Sequence, residues 1–222
     1  MAPPILAVAA IVRRSTVSVM RSSVLRRSAG LAAAAATALA CAVQASAAAP
    51  TERLVYSPFA TDGSLLQSLK VTTHEGGTCQ TGSYVVARHG VYRCFDGNII
   101  RDPCFSDARA STASGEPAVA CVNAPWSTHA VSLHLDSPPS SALQASPGRA
   151  PWALQLASGA RCVFAEGATN VVHGLRLNYF CGTSARYLFG TPRTSQPTWR
   201  IRMARSVNGR AWRLVAIARA WR

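Results

Sequence analysis

Six cysteines stand beyond residue 47: Cys79, Cys94, Cys104, Cys121, Cys162 and Cys181. The number is even, and the segment ahead of them reads as an export signal, so three disulfides are the default. This constrains the fold more than any other feature, because a stapled chain need not build one large core and can settle into small lobes. Six cysteines allow 15 pairings. The simplest joins neighbours, Cys79–Cys94, Cys104–Cys121 and Cys162–Cys181, with the first and third bridging strands of one hairpin. Each loop so closed contributes about 3 kcal/mol by restricting the unfolded chain. A zinc site is disfavoured, since the chain has no C-x-x-C pair. No metal or cofactor is expected.

Arg21, Arg26 and Arg27 precede an apolar, alanine-rich run from Leu31 to Val43, and Ala45-Ser46-Ala47 fits the small-residue cleavage pattern. Residues 1–47 are therefore expected to be a signal peptide cut near Ala47, and the protein to be secreted. The run is shorter than the roughly 20 residues that span a bilayer, and no later stretch approaches that length. Met20 offers an alternative start. Arg26-Arg27 admits a twin-arginine signal, although Ser28-Ala29-Gly30 stand where a bulky apolar pair usually follows. Cys41 after Ala38-Leu39-Ala40 loosely suggests lipid attachment, but the leucine is one place too close. A lipoprotein is the minor alternative.

Beyond residue 47 the apolar pieces are short and punctuated by glycine turns. Ser83–Ala87 and Val91–Phe95, with His89-Gly90 between them, predict a hairpin. Gly76-Gly77 reads as a break, and Asp102-Pro103 as the stop of a piece beginning at Ile99-Ile100. His129–Asp136 alternates, with Val131, Leu133 and Leu135 on one face, which predicts a half-buried strand. Arg161–Phe164 and Leu175–Cys181 look like paired strands. Asn208-Gly209 predicts a two-residue turn with φ > 0 at both positions, which favours a strand over a helix for Arg210–Trp221. The expected fold is mainly β: two small disulfide-stapled antiparallel lobes, either separate or sharing one core. A four-cysteine lobe (48–136) is followed by a Ser/Pro-rich linker (137–150) and a two-cysteine, Arg/Trp-rich lobe (151–222).

Several blocks carry a resemblance. Gly77-Thr78-Cys79-Gln80-Thr81-Gly82-Ser83, Tyr92-Arg93-Cys94, Gly97-Asn98-Ile99-Ile100 and Asp102-Pro103-Cys104-Phe105 resemble a pattern in uncharacterised exported bacterial proteins. Pro151-Trp152-Ala153-Leu154 and Ala220-Trp221 are similar to that group too. The resemblance implies an exported, cysteine-paired domain and implies no activity.

Charge is the main functional signal. With the five arginines of residues 1–47 set aside, 18 of the 23 Lys+Arg remain against all nine Asp+Glu, and Lys70 is the sole lysine. Beyond Glu166 there is no acid, while ten arginines follow. Such a field favours anionic partners, although an Ala- and Arg-rich, Lys-poor composition also arises from GC-rich codon bias. The expected face is Arg200, Arg202, Arg205, Arg210 and Arg213, with Trp212 the best exposed aromatic for stacking. Trp152, Trp199 and Trp221 are expected in the core. Cell-envelope polymers are preferred over nucleic acid as the partner, and the sequence is silent on oligomeric state.

Catalytic patterns are thin, and no catalytic residue is assigned. Arg88-His89-Gly90 matches only the start of a histidine phosphatase motif, since Tyr92 and Cys94 stand where its arginine and proline belong. No G-x-S-x-G is present. His134 and Asp136 share a strand face, which is weak support for a hydrolase. Glu75, Glu116 and Glu166 are available to a glycosidase, each in an expected loop. The preferred reading is a non-enzymatic envelope-associated or anionic-polymer-binding protein. The alternatives are a secreted wall or polysaccharide hydrolase and, more weakly, a peptidase inhibitor.

Overall fold

The structure is a computed structural model that describes residues 48–107, 115, 117–140, 150–182, 186–209 and 211–222. The expected signal segment, Cys41, Glu116, Arg210 and most of the Ser/Pro-rich linker lie outside these residues. The described chain is all β. None of its elements is a helix long and apolar enough to cross a membrane.

A short strand β1 (Glu52–Leu54) opens the chain. The first barrel follows, built from β2 (Lys70–Gly82), β3 (Val91–Asp96), β4 (Ile99–Phe105), β5 (Ala118–Cys121) and β6 (His129–Leu135). Successive strands pair antiparallel, and a parallel β2–β6 ladder closes the ring. The second sheet comprises β7 (Ala153–Leu156), β8 (Arg161–Phe164), β9 (Val171–Val172), β10 (Leu175–Phe180), β11 (Tyr187–Arg193), β12 (Arg200–Ala204) and β13 (Arg213–Trp221). It closes because β13 pairs with β12 through residues 213–216 and with β7 through 217–221. β1 runs parallel to the end of β13, with Arg53 opposite Ala220. The opening segment thus belongs to the second sheet.

The three disulfides join neighbouring strands in the local pattern: Cys79–Cys94, Cys104–Cys121 and Cys162–Cys181. The first two couples are also directly opposed in their ladders, and all three Cα–Cα separations are 3.9–4.0 Å. Both disulfides of the first barrel lie in its interior with Tyr92, Val119, Leu133 and Leu135. The third lies in the interior of the second, with Leu154, Tyr179, Leu188, Ile201 and Ile217.

An apolar layer joins the two. Val85, Val86, Val91, Phe105 and Ala130 of the first barrel pack with Trp152, Ala153, Phe164 and Trp221 of the second. Tyr56, Phe105 and Trp152 form a mutual aromatic triangle with centroids 5.7–5.9 Å apart.

Four local expectations are corrected. Ser83–Ala87 is a turn rather than a strand, because Ser83 Oγ accepts from the Val85 and Val86 amides at 3.2 and 2.9 Å and so satisfies them without a ladder. Gly76-Gly77 does not break the chain. It lies inside β2, where the β2–β6 register shifts between His74 and Gly77 and Gly76 takes φ +76°, as a bulge requires. β4 runs on through Asp102 and cis-Pro103 to Phe105; at Pro103 no amide is needed, and its carbonyl accepts from Val122 instead. Asn208-Gly209 is not a two-residue hairpin turn. Neither residue is left-handed, and β12 and β13 are joined by a longer loop, 205–212.

Candidate functional site

The outer face of β12 carries the predicted basic residues. Ile201 and Met203 point into the barrel and are buried, so the alternation of the strand turns Arg200 and Arg202 outward. Arg200 is exposed and stands directly opposite Arg193 of β11. Two like charges at opposed cross-strand positions repel, and neither forms an ion pair with a carboxylate among the described residues. Arg202 lies over the Trp212 ring, 5.8 Å from guanidinium carbon to centroid.

Arg205, Trp212 and Arg213 come together at the other end of β12. With Met203 and Ala211 they line a hollow of about 300 Å³. Trp212 is not the free stacking platform expected. It stacks on Phe189 at 5.8 Å and meets His173 edge-on at 5.4 Å, and its Nε1 donates to the Gly209 carbonyl at 2.9 Å. It closes a small outer cluster with Leu177, Phe189, Ala204 and Val207. The reason is local: the Gly209 carbonyl holds the indole N–H, and the ring lies against Phe189. Trp152 and Trp199 are buried as expected, and Trp221 is half-buried against Trp126.

Arg193 belongs to the same face, and a signal for it exists in the sequence. Once β11 and β12 are seen as a hairpin around Ser195–Pro197, Arg193 falls opposite Arg200.

A second constellation lies on the first barrel and faces the second. The Asp102 carboxylate accepts the Ser83 hydroxyl on Oδ1 and the Tyr84 amide on Oδ2, the latter at 2.9 Å. Burial pushes its pKa up to about 6, against these hydrogen bonds and the nearby Arg93 charge. Glu166, just after β8, is pushed up to about 7, first by loss of solvent around its carboxyl and then by the Asp102 charge, with Arg93 opposing. Glu166 is nonetheless an exposed residue, so the carboxyl sits at a rim rather than in the interior. Arg93 itself lies over the Tyr84 ring at 4.7 Å. In sequence Asp102 marks only the stop of a strand piece, and Glu166 is one of three loop acids available to a glycosidase; their pairing across two lobes leaves no trace in sequence spacing.

The other chemical candidates are engaged elsewhere. His134 Nδ1 pairs with Glu75 at 3.0 Å. His74 Nδ1 pairs with Asp96 at 2.7 Å, and the Arg101 fork closes on the same carboxylate oxygen. Arg101 first, and then His74, hold the Asp96 carboxyl below its usual range against a partial desolvation. Arg88 donates to the Tyr56 carbonyl at 2.7 Å and lies over Phe105; His89 is exposed on the neighbouring turn. No cluster of three metal-ligating side chains occurs among the described residues.

No family model, no curated protein and no solved structure matches this chain.

Proposed function

We propose that the protein is a secreted, non-enzymatic binding protein for anionic cell-envelope polymers, engaged through the arginine face of the second barrel. The observation that supports this reading is the cross-strand couple Arg193–Arg200 beside Arg202, a like-charged set with no carboxylate partner among the described residues. An isolated sheet disfavours such a couple. A bound polyanion removes the repulsion and gains charge-assisted hydrogen bonds from the guanidinium forks. Three disulfides suit an oxidising, extracytoplasmic address.

The test is sedimentation of the oxidised protein with purified cell envelope across a salt series. Binding should be strong at low salt and fade as the screening length falls below about 10 Å. The double variant Arg200→Glu/Arg202→Glu should no longer sediment while keeping the wild-type melting temperature. Salt-resistant binding, or an unaffected double variant, sinks the reading.

A second reading is a secreted hydrolase acting on wall polysaccharide, and it draws on Asp102 and Glu166. A carboxyl with a pKa near neutrality is suited to general acid work, and two carboxylates of different environment are the usual glycosidase equipment. Hydrolysis of envelope polysaccharide that is abolished by Glu166→Gln in a still-folded protein would favour this reading over the first.

A further inference from the structure

At one end of the second barrel, a polar cleft of about 540 Å³ opens between β1, the β11–β12 loop and the end of β13. Arg53 comes from β1, Thr194, Ser195 and Gln196 from the loop, and Arg222 follows β13, with Trp199 at the base. We propose that this cleft is a binding site for an acidic oligosaccharide, a short run of sugars bearing carboxylate groups. The proposal rests on the anionic-polymer reading above and specifies where, and by what chemistry, such a polymer is recognised.

Hydrogen bonds tie the frame of the cleft together. Thr51 donates its amide to the Pro197 carbonyl at 2.9 Å and its hydroxyl to Ile217 at 2.7 Å, while that hydroxyl accepts from the Trp199 amide at 2.7 Å. The Arg222 amide donates to the Leu54 carbonyl at 3.0 Å. The Arg222 guanidinium lies over the buried Trp199 ring, 5.3 Å from its centroid, so one cation is oriented before any ligand arrives. The side chains of Thr194, Ser195 and Gln196, by contrast, are exposed and make no hydrogen bond among the described residues.

The lining decides the ligand class. Among the described residues no acidic side chain lines it; Glu52, the neighbour of Arg53, is held by Arg219 at 2.8 Å. Two planar guanidinium forks match carboxylates bidentately. Two hydroxyls and a carboxamide are both donors and acceptors, as sugar hydroxyls are. An apolar ligand finds little to bury, because Trp199 is already covered by Arg222. The volume falls in the range of small-ligand sites, roughly 300–1,000 Å³. It therefore suits a short saccharide end rather than a long stretch of chain. The Arg193–Arg200 couple lies next to the same loop and continues the positive track outward.

The experiment is calorimetric titration of the oxidised protein with a galacturonate tetramer. A neutral galactose tetramer and a glycerol-phosphate tetramer serve as comparisons. The expected result is binding of the galacturonate alone, weakened about tenfold or more by Arg53→Glu and by Gln196→Ala with unchanged melting temperatures. Equal binding of the neutral tetramer, preference for the glycerol phosphate, no binding at all, or wild-type affinity in both variants overturns the proposal. The two levels separate cleanly. Envelope sedimentation that depends on Arg200 and Arg202 without any oligosaccharide binding leaves the general reading standing and removes the cleft. Galacturonate binding that depends on Arg53, with no envelope sedimentation, does the reverse.

Discussion

Asp102 of the first barrel and Glu166 of the second lie close enough that the charge on Asp102 raises the pKa of Glu166. Arg93 opposes the shift of both. The couple ties proton binding to the seam between the two barrels, and it yields a prediction with a definite sign. Both acids have folded pKa values, about 6 and about 7, above the ordinary carboxylate values near 4. The folded state therefore holds more protons than the unfolded chain between roughly pH 4 and pH 7. Their contribution is fully present below about pH 4 and is lost as pH rises through the folded pKa values. Stability should decline across that window, and Glu166→Gln should flatten the decline. Thermal melts from pH 4 to pH 8 measure it; a wild-type curve that rises steadily over the window refutes the pairing.

The same couple can be read spectroscopically. Asp102→Asn removes the neighbouring charge, so the Glu166 midpoint should move down from about 7. Arg93→Gln removes the opposing charge, so both midpoints should move up. Carboxyl-carbon NMR titration of the three proteins resolves these directions. A Glu166 midpoint indifferent to both changes would mean that solvent exclusion alone sets it.

Ser83 holds the turn on which Asp102 acts. Its hydroxyl donates to Asp102 and accepts from two backbone amides, and the residue has no exposed surface. Ser83→Ala leaves a half-buried carboxylate oxygen and two buried amides without that partner, which costs about 1–3 kcal/mol for each buried amide left unsatisfied. The adjacent Val85 and Val86 belong to the apolar layer between the barrels, so loosening should spread to that seam. Hydrogen exchange at the Val85 and Val86 amides should accelerate more than exchange in the interior of either barrel. Uniform acceleration would argue instead for simple global destabilisation.

How much of this was legible in sequence depends on the range of the cause. The local disulfides were, because each joins strands 15 to 19 residues apart, and the β class followed from short alternating runs. Arg200 and Arg202 facing outward followed from their alternation with Ile201 and Met203. What failed was decided by distant partners. Gly76-Gly77 resembles a break until Leu133 is placed against it. Ser83–Val86 resembles a strand until Asp102 arrives from β4 to hold it as a turn. Trp212 resembles an exposed ring until Phe189 and His173 are packed on it. Glu166 and Asp102 sit 64 positions apart and meet only through the docking of two barrels.

Gly77 is the position where this long-range logic is most exposed to test. It lies buried in β2, and a Cβ built on it would stand 2.4 Å from Leu133 Cγ and 2.6 Å from both Leu133 methyl carbons. Leu133 has no exposed surface and packs beside the two disulfides of the first barrel, so it has nowhere to retreat. Gly77→Ala should therefore destabilise by about 1–3 kcal/mol through overpacking. Leu133→Ala alone should cost about 2–5 kcal/mol by opening a cavity. The double variant provides the discriminating measurement: the added methyl then occupies space that the leucine vacated, so the combined loss should fall short of the sum by more than about 0.5 kcal/mol. Urea unfolding of the four oxidised proteins gives these differences. Strict additivity would mean that the glycine is required for the bulge at Gly76–Gly77 and not for the approach of Leu133.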